Sequence, residues 1–385
     1  MSVIIIGAGL GGLSLAQGLR RAGIPCQVYE RDESAEMRKQ GYRLHIDDVG
    51  DTALREVLPP NSHELFRATA GRALPRTNIY DERMRLVTAL EADGVQLNIN
   101  RFTVRQILLR DQEVRYGKRF THYEADDGGV TAHFADGTSV RGSLLVGADG
   151  VNSPVRQQYL PHAQVVDSGL VQLYGRLPLT PATRKLFDPE MFAVFSMIIA
   201  PDRTMVGFAP VDYPEPVADA SARLVPDLRL RDHEPYMTCA VGARRETLGR
   251  SDVELAATAP ADLKKLAFGL IDGWHPRARV LVEHWDAEAT FPQPIRTSIP
   301  VEPWPPSRVT LLGDAIHAMS PAAGAGANTA LRDGAALASA LAGAPLLEAV
   351  AAYEAAMVDY GFAVVRESAE NGRRYLGQNP LTTAG

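Results

Sequence analysis

Short apolar runs and one glycine-rich turn organise the start of the chain. Val3–Ile6 is continuously apolar, as expected for a strand buried on both faces of a parallel sheet. Leu13–Arg21 reads as a helix, and Gly23–Pro25 contains the glycine and proline that end it. Cys26–Tyr29 is a second short strand. The pattern therefore predicts a strand–helix–strand unit.

Two kinds of strand pattern follow in the rest of the chain. Ser143–Val146 and Val309–Leu312 are again apolar runs. Met191–Ile199, Thr204–Val211 and Tyr236–Ala243 follow one another without interleaved helices, which favours a mostly antiparallel sheet. Helices are predicted over Asp47–Leu58, Phe102–Asp111, Pro260–Gly273, Asn328–Leu341 and Leu346–Arg374.

These elements predict an α/β protein with two domains and a tail. A Rossmann-like nucleotide-binding domain is interleaved with a mostly antiparallel β-sheet substrate domain, and a C-terminal helical segment follows. Phe291–Pro306 contains six prolines and is interpreted as an irregular crossing between the domains. The predicted ranges are 1–72, 98–165 and 290–345 for the nucleotide domain, 73–97 and 166–289 for the substrate domain, and 346–385 for the C-terminal helix.

Composition narrows the class of protein. Hydrophobic residues make up 45% of the 385 residues, which is typical of a globular chain, and the formal net charge of −6 argues against a nucleic-acid partner. Cys26 and Cys239 are too few for a disulfide framework or a zinc site, and both are interpreted as inert core thiols in a reducing cytoplasm. Neither a secretion signal nor a membrane-spanning run is predicted.

The turn after the first strand has the spacing of a dinucleotide site. Gly7–Gly12 fits the G-x-G-x-x-G pattern at Gly7, Gly9 and Gly12. In that pattern the backbone approaches a pyrophosphate, and the N-terminus of the following helix faces its negative charge. Glu30 ends the second strand, where a carboxylate can accept a hydrogen bond from a ribose hydroxyl.

Two further turns stand at the ends of apolar strands. Gly147-Ala148-Asp149-Gly150 follows one, and Gly313-Asp314 follows another. Pro321–Asn328 then forms a second glycine loop that leads into a helix. Each turn alone could be an ordinary one. Because the carboxyl ends of parallel strands meet at one edge of a sheet, the three turns together favour a long dinucleotide.

With these residues in place, the chain resembles the class A flavoprotein monooxygenases of the p-hydroxybenzoate hydroxylase type. Gly7–Gly12 with Glu30 is similar to their ADP-binding fingerprint, Asp149-Gly150 to their Asp-Gly motif, and Leu311–His317 to their Gly-Asp motif. Order and spacing agree over nearly the whole chain. The short C-terminus resembles compact members such as the tetracycline-inactivating monooxygenases.

The resemblance implies that the nucleotide domain binds FAD. It implies that Asp314 holds the ribityl chain and that Asp149 lies near the pyrophosphate and is linked to NAD(P)H use. Arg38 and His45 would flank the flavin, although His45 replaces a carboxylate found in some relatives. The implied cofactor-binding residues are Gly7, Gly9, Leu10, Gly11, Gly12, Glu30, Arg31, Arg38, His45, Arg105, Asp149, Gly150, Gly313, Asp314, Pro321, Gly324, Gly326, Ala327 and Asn328.

The resemblance also implies the reaction. NAD(P)H would reduce FAD, O2 would add to give a C4a-hydroperoxide, and one oxygen atom would reach an apolar aromatic or polycyclic small molecule. No protein side chain is assigned a catalytic role and no metal site is predicted, because the cofactor carries this chemistry. His317 is interpreted as a packing or capping residue, and the chain is expected to be a monomer or a homodimer.

The substrate is expected between the flavin and the antiparallel sheet. By alternation, Phe195 and Met197 share one face of their strand. Tyr236, His45 and Arg43 are candidates for helping a phenol to ionise. The candidate lining residues are Phe192, Phe195, Met197, Met205, Phe208, Tyr213, Trp285 and Phe291.

Three other classes of protein remain open from the sequence. A flavin-dependent halogenase would share the fold, but the chain has no Trp-x-Trp-x-Ile-Pro motif. An NAD-dependent dehydrogenase would explain Gly7–Glu30 but not the Gly313-Asp314 loop. A non-catalytic flavin-binding or ligand-binding protein would keep every motif.

Overall fold

The computed structural model describes residues 1–35 and 42–382. Arg38 therefore lies outside the described residues. The described part contains the following strands: β1 (Val3–Ile6), β2 (Cys26–Tyr29), β3 (Arg43–Ile46), β4 (Leu74–Asp81), β5 (Leu86–Glu91), β6 (Leu97–Asn100), β7 (Val114–Arg115), β8 (Phe120–Asp126), β9 (Gly129–Phe134), β10 (Ser139–Gly142), β11 (Leu144–Gly147), β12 (Val165–Pro178), β13 (Ala193–Ile199), β14 (Met205–Val211), β15 (Tyr236–Arg244), β16 (Phe291–Ser298) and β17 (Val309–Leu311).

Helices pack against both main sheets. They are α1 (Leu10–Arg21), α2 (Asp48–Val57), α3 (Pro60–Ala68), α4 (Arg101–Leu109), α5 (Pro154–Tyr159), α6 (Pro181–Arg184), α7 (Val217–Leu224), α8 (Arg245–Leu248), α9 (Asp252–Ala257), α10 (Pro260–Leu270), α11 (Pro276–Glu283), α12 (Asp314–His317), α13 (Gly326–Gly343) and α14 (Leu346–Asn371). Gly372–Leu376 continues α14 as a π-helical turn. None of the described helices is long and apolar enough to cross a lipid bilayer.

The nucleotide domain is built on a five-stranded parallel sheet. Its strand order is β17-β11-β1-β2-β7. The central strands β1 and β11 are buried along their whole length, which explains their continuous apolar sequence. Ile6 pairs with Gly147, and Gly147 pairs with Leu311. The three predicted turns therefore leave the sheet side by side at its carboxyl edge.

The second large sheet has seven strands in the order β16-β12-β15-β14-β13-β4-β5. Neighbouring strands run antiparallel except β13 and β4, so the prediction of a mostly antiparallel sheet is confirmed. Residues of α10 and α11, among them Leu263 and Leu281, pack with Leu173 and Phe208 on one face of this sheet. The opposite face carries the half-buried side chains of Phe195 and Met197.

One sequence prediction is wrong in this region. The first half of Phe291–Pro306 is strand β16, although it contains Pro292 and Pro294. The strand pairs only with β12, so it lies at the edge of the sheet. Residues two apart point their backbone nitrogens to the same side, and both prolines can therefore face the unpaired edge, where no N–H donor is needed.

Close contact between α1 and α13 joins the start of the chain to its last third. A Cβ placed on Gly334 would lie 2.6 Å from the backbone nitrogen of Leu15 and 2.7 Å from the carbonyl oxygen of Gly11. The Ser14 hydroxyl donates a hydrogen bond to the carbonyl oxygen of Leu331 across the same contact. The two helix backbones therefore touch because glycine leaves the space between them empty.

We predict that Gly334→Ala destabilises the protein by about 1–3 kcal/mol, because the added methyl group must push α13 away from α1. Gly343→Ala is the matched control in the same helix, since a Cβ at Gly343 meets no atom within 4 Å. The control should change the free energy of unfolding by no more than about 1 kcal/mol, in the stabilising direction. Urea denaturation measures both variants, and equal effects would contradict the tight contact.

Candidate cofactor and substrate site

The first glycine turn combines two glycines required by packing with one that faces open space. Gly7 has φ 111°, and a Cβ there would lie 2.3 Å from the carbonyl oxygen of Ala148. A Cβ on Gly12 would lie 2.2 Å from the carbonyl oxygen of Gly7. Among the described residues, by contrast, a Cβ on Gly9 meets no atom within 4 Å and no side chain caps the N-terminus of α1. The turn thus leaves room for an anion at the helix N-terminus.

Glu30 and Arg105 hold this turn from two sides. The Glu30 side chain is buried, and its Oε2 accepts a hydrogen bond of 2.9 Å from the backbone nitrogen of Ala8. The Arg105 guanidinium donates from Nε to the carbonyl oxygen of Ala8 at 3.1 Å and from Nη1 to that of Ala35. The structure therefore brings these predicted residues together. Arg31 follows Glu30 with a half-exposed side chain.

Asp149 lies beside the same turn. Its Cα is 3.1 Å from a Cβ placed on Gly7, and its Oδ2 accepts from the backbone nitrogen of Val155 at 3.3 Å. Burial raises the pKa of Asp149 to about 6. The buried Oδ1 atom has no hydrogen-bond partner among the described residues. Such an atom fits a hydrogen-bond donor supplied by a bound cofactor. Gly150 follows with φ 82°.

A buried carboxylate shapes the Gly313-Asp314 turn. Asp333 accepts hydrogen bonds at Oδ2 from the backbone nitrogen of Gly313 at 2.7 Å and from His317 Nε2 at 2.6 Å. Tyr360 donates to its Oδ1 at 2.6 Å. Burial alone would lower the pKa of His317, but the charge and hydrogen bond of Asp333 together with the charge of Asp314 raise it. His317 is fully buried, in agreement with its predicted packing role.

Asp314 turns away from this buried cluster. It is the first residue of α12, at the carboxyl edge of the parallel sheet, and it is exposed. The surrounding protein nevertheless raises the pKa of Asp314 by desolvation, against the opposing charges of His317 and Arg101. Gly313 reaches φ 60° at this point, a conformation that favours glycine. The sequence missed Asp333, whose partners lie far from it along the chain.

The second glycine loop packs against the strand that carries His45. Asn328 donates from Nδ2 to the carbonyl oxygen of His45 at 3.2 Å, and its Oδ1 accepts from the backbone nitrogen of Asp47 at 3.3 Å. Gly324 has φ 66°, and a Cβ there would lie 3.7 Å from His45 Nδ1. Pro321 begins a 3₁₀ turn, and the helix after the loop begins at Gly326-Ala327 without a side-chain cap.

The surroundings of His45 favour its neutral imidazole. Gln96 Nε2 donates a hydrogen bond to the carbonyl oxygen of Asp93 at 2.8 Å. This bond fixes the orientation of the Gln96 amide, whose oxygen Oε1 lies 2.7 Å from His45 Nε2. Because a carbonyl oxygen only accepts, Nε2 carries the proton and Nδ1 is the acceptor on the side of Gly324. Burial and the charge of Arg43 lower the pKa of His45. Gln96 is a supporting residue that the sequence pattern did not reveal.

The predicted lining residues divide between the two faces of the seven-stranded sheet. Phe195 and Met197 lie on the face of the sheet opposite α10 and α11, which is called the open face below, and this confirms the predicted alternation. Met197 pairs with Gly207 and Ser196 pairs with Phe208, so Phe208 points to the opposite face, where it is fully buried.

Three predicted lining residues therefore lie behind the sheet and must be removed from the substrate set. Phe208 belongs to the core beneath α10 and α11, and Phe192 stacks edge-on to Phe187 at 6.5 Å in the same region. Trp285 is 3% exposed and fills the space beneath Gly175, where a Cβ would lie 2.2 Å from its ring. Their bulk suggested a binding site, but the strand register of Phe208 and the packing of Phe192 and Trp285 place all three with the core behind the sheet.

Aromatic side chains meet at the other end of the open face. Tyr174 and Phe291 stack with centroids 5.4 Å apart and an interplanar angle of 7°. The ring centroids of Tyr42 and Phe291 are 5.7 Å apart, and Tyr213 packs in the same cluster as these two residues. Tyr174 was not predicted from the sequence. It lies two residues after Gln172 on β12 and therefore on the same face of the sheet. Met205 closes the opposite end, where it packs with Leu376 of the C-terminal turn and is buried.

Tyr236 has a structural role. Its hydroxyl donates to the carbonyl oxygen of Tyr42 at 2.8 Å and accepts from Asn100 Nδ2 at 3.1 Å. Burial raises the pKa of Tyr236 well above its usual range. A buried hydroxyl that already makes two hydrogen bonds is unsuited to take a proton from a substrate. Its bonds to Tyr42 and Asn100 instead link the sheet to the nucleotide domain.

One group of metal-type ligands lies elsewhere among the described residues. His122 pairs with His133 across β8 and β9, and their rings stack 4.4 Å apart. Together with Glu124 they offer ligand atoms within 4.8 Å of one another. The sequence could not reveal this grouping, since it depends on cross-strand pairing.

Gly9→Ala tests whether the open space at the first turn holds a pyrophosphate. The apoprotein's free energy of unfolding should change by less than about 0.5 kcal/mol, because the methyl group meets no atom of the described residues within 4 Å. FAD affinity should fall roughly tenfold or more, because the methyl group occupies the space that the phosphates need.

Urea denaturation of the apoprotein and an FAD titration by fluorescence quenching measure the two effects. Gly269→Ala in α10 is the matched control, since a Cβ there also meets nothing within 4 Å. An unchanged FAD affinity in Gly9→Ala would place the pyrophosphate elsewhere.

Comparison with known proteins agrees with this geometry. The dual O-methyltransferase/FAD-dependent monooxygenase of Cercospora beticola is 32% identical over 410 residues, covering 98% of this chain and 47% of that protein. A candidate FAD-containing monooxygenase of known structure from Photorhabdus luminescens subsp. laumondii is 33% identical, with a TM-score of 0.84 and 98% of both chains covered. Klebsiella pneumoniae HpxO, solved with FAD and uric acid, is 25% identical with a TM-score of 0.78, covering 98% of this chain and 89% of that chain.

The chain spans about half the length of the first curated relatives that it matches. Residues 1–217 and 296–353 match the family model described as an FAD binding domain. This match covers more than half of the chain and includes all three strand-end turns. The chain therefore belongs to the FAD-binding family of flavoprotein monooxygenases, and FAD is its cofactor.

Proposed function

We propose that this protein is an NAD(P)H-consuming monooxygenase that inserts one oxygen atom from O2 into an apolar aromatic or polycyclic small molecule. The observation that carries the proposal is the position of strand β3, which brings His45 beside Gly324 and Arg43 to 5.7 Å from the ring centroid of Phe195. We place the substrate cleft between the loop at 321–328 and the sheet face that carries Phe195, Tyr174 and Phe291.

The protein's own contribution is binding, orientation and exclusion of water. Gly9, Glu30 and Arg105 would hold the ADP part, and Asp314 with the Gly324 loop would hold the part nearest the substrate. FAD supplies the redox and oxygen chemistry when it is bound. His45 would face it as a neutral acceptor, because its Nδ1 is on the side of Gly324.

The aromatic side chains of the cleft favour an aromatic substrate. A flat ring can stack on the Tyr174–Phe291 pair or pack against Phe195, and both contacts displace water from the reacting region. The relatives support the reaction type, since the Cercospora beticola and Photorhabdus luminescens proteins are both described as FAD monooxygenases. Modification of an aromatic secondary metabolite is the role that fits both observations.

The direct test is turnover by the purified holoenzyme. Aromatic polyketides and phenols are screened for NADH or NADPH oxidation that depends on the added compound, with oxygen uptake and a product one oxygen atom heavier. We expect at least one compound to give all three signals. If FAD is bound but none of the compounds stimulates NADH or NADPH oxidation, the chain is a non-catalytic flavin-binding protein. If halide is incorporated into the product, it is a halogenase.

Two phenylalanines on opposite faces of the sheet test the location of the substrate. Phe195→Ala should raise KM for an active aromatic compound by about tenfold while FAD occupancy is retained, because it removes a wall of the cleft. Phe208→Ala should instead lower the free energy of unfolding by about 3–5 kcal/mol, because it opens a cavity in the core. Steady-state kinetics and urea denaturation measure the pair. An unchanged KM in Phe195→Ala would move the substrate off this face.

A further inference from the structure

Arg43 is a half-buried cation that, within the described chain, hydrogen-bonds to neutral groups. Its Nε donates to Asn98 Oδ1 at 2.8 Å, and its Nη2 donates to the carbonyl oxygen of Val194 at 2.9 Å. Among the described residues, no carboxylate forms an ion pair with it, and the charge interactions acting on it come from Tyr236 and Tyr174. Many other arginines of the described chain do pair with Asp or Glu, as Arg184 does with Asp212 at 2.8 Å.

The surroundings of Arg43 are apolar and aromatic. Its Cζ lies 5.7 Å from the ring centroid of Phe195, which stands on the open face of the sheet. Burial lowers the pKa of Arg43 to about 10, so the group remains charged at neutral pH. Keeping a charge in such a place without a counter-ion costs stability, and removal from water strengthens its attraction for any anion that arrives.

Among the described residues, the neighbouring titratable groups do not supply a negative charge to Arg43. The Tyr236 hydroxyl is already bonded to Tyr42 and Asn100, and burial raises the pKa of Tyr174. His45, on the same face of β3, is neutral because burial lowers its pKa. Arg101 adds to the positive field, since its charge and that of Arg43 both act to lower the pKa of Tyr174.

We propose that Arg43 binds an ionised oxygen attached to the aromatic substrate, of the phenolate or vinylogous-acid type, and so makes the cleft selective for acidic rings. The ring would lie against Phe195 and the Tyr174–Phe291 pair while the oxygen pairs with the guanidinium. The proposal rests on the substrate cleft of the proposed function and adds its charge preference. Arg43 is a specificity-determining residue in this assignment.

Matched pairs of ring compounds test this preference in the holoenzyme without NAD(P)H. Each pair contains an acidic hydroxyl compound, ionised at the working pH, and its neutral methyl ether. The pairs are 4-nitrophenol and 4-nitroanisole, 2-hydroxy- and 2-methoxy-1,4-naphthoquinone, and alizarin and its dimethyl ether. Binding is followed by the change in flavin absorption or fluorescence.

We expect the wild-type protein to bind the anion at least about tenfold more tightly than the ether in one or more pairs, which corresponds to about 1.4 kcal/mol. Arg43→Met should reduce the preference to about twofold or less, and Arg43→Lys should restore part of it. Arg85→Met is the matched control, since Arg85 is exposed and pairs with Asp81, and it should keep the full preference.

Three outcomes would overturn the proposal. They are equal or weaker binding of the anion in every pair, a full preference retained by Arg43→Met, and a lowered FAD affinity of Arg43→Met with an unchanged ligand preference once the variant is saturated with FAD. The last outcome would make Arg43 a cofactor residue. The two proposals fail separately, because ligand binding is measured without turnover. If the protein prefers the anion but inserts no oxygen, the role of Arg43 is retained and the proposed monooxygenase activity is rejected.

Discussion

The contact between the backbones of α1 and α13 is the constraint on which the rest of the site depends. Gly334 lies against Gly11 and Leu15 with no space for a side chain, and Gly18 approaches Ala338 in the same way. This contact fixes the first glycine turn relative to the loop at 321–328, although some 300 residues separate them in sequence. A cofactor that reaches from one to the other can be bound only when the two ends of the chain are joined.

A second constraint acts on the turn between these regions. The Asp333 carboxylate accepts from Gly313, His317 and Tyr360, and thereby connects β17, α12, α13 and α14. Hydrogen bonds to a charged acceptor are stronger than neutral ones, and each of these is fully or largely removed from water. Gly313 is held at φ 60°, and Asp314 after it is exposed while Ala315, Ile316 and His317 are buried. One buried carboxylate thus sets the direction of its exposed neighbour.

The strand-end turns could be predicted from the sequence, but the lining of the cleft could not. Parallel strands place their carboxyl ends at one edge, so Gly7, Asp149 and Gly313 had to lie close together once their strands were recognised. Alternation separates the residues of a strand into two sets, yet it does not say which set faces the ligand. Phe208 and Phe195 are equally apolar, and only the pairing of Phe208 with Ser196 puts them on opposite faces. Likewise, Pro292 and Pro294 can lie in β16 only because that strand is at the edge, which is a property of the whole sheet.

Strand β3 connects the two halves of the proposed chemistry. Its pairing with β6 sets His45 opposite Asn98 and Arg43 opposite Asn100, while Leu44 and Ile46 are buried. His45 and Arg43 therefore lie on the same face, separated by about 6.5–7 Å along the strand. His45 lies beside the glycine loop, and Arg43 lies beside the sheet. A substrate that reaches both would hold its ionised oxygen roughly one aromatic ring away from the atom nearest the cofactor. On this proposal, β3 sets both the charge that the cleft selects and the position on the ring that is presented for reaction.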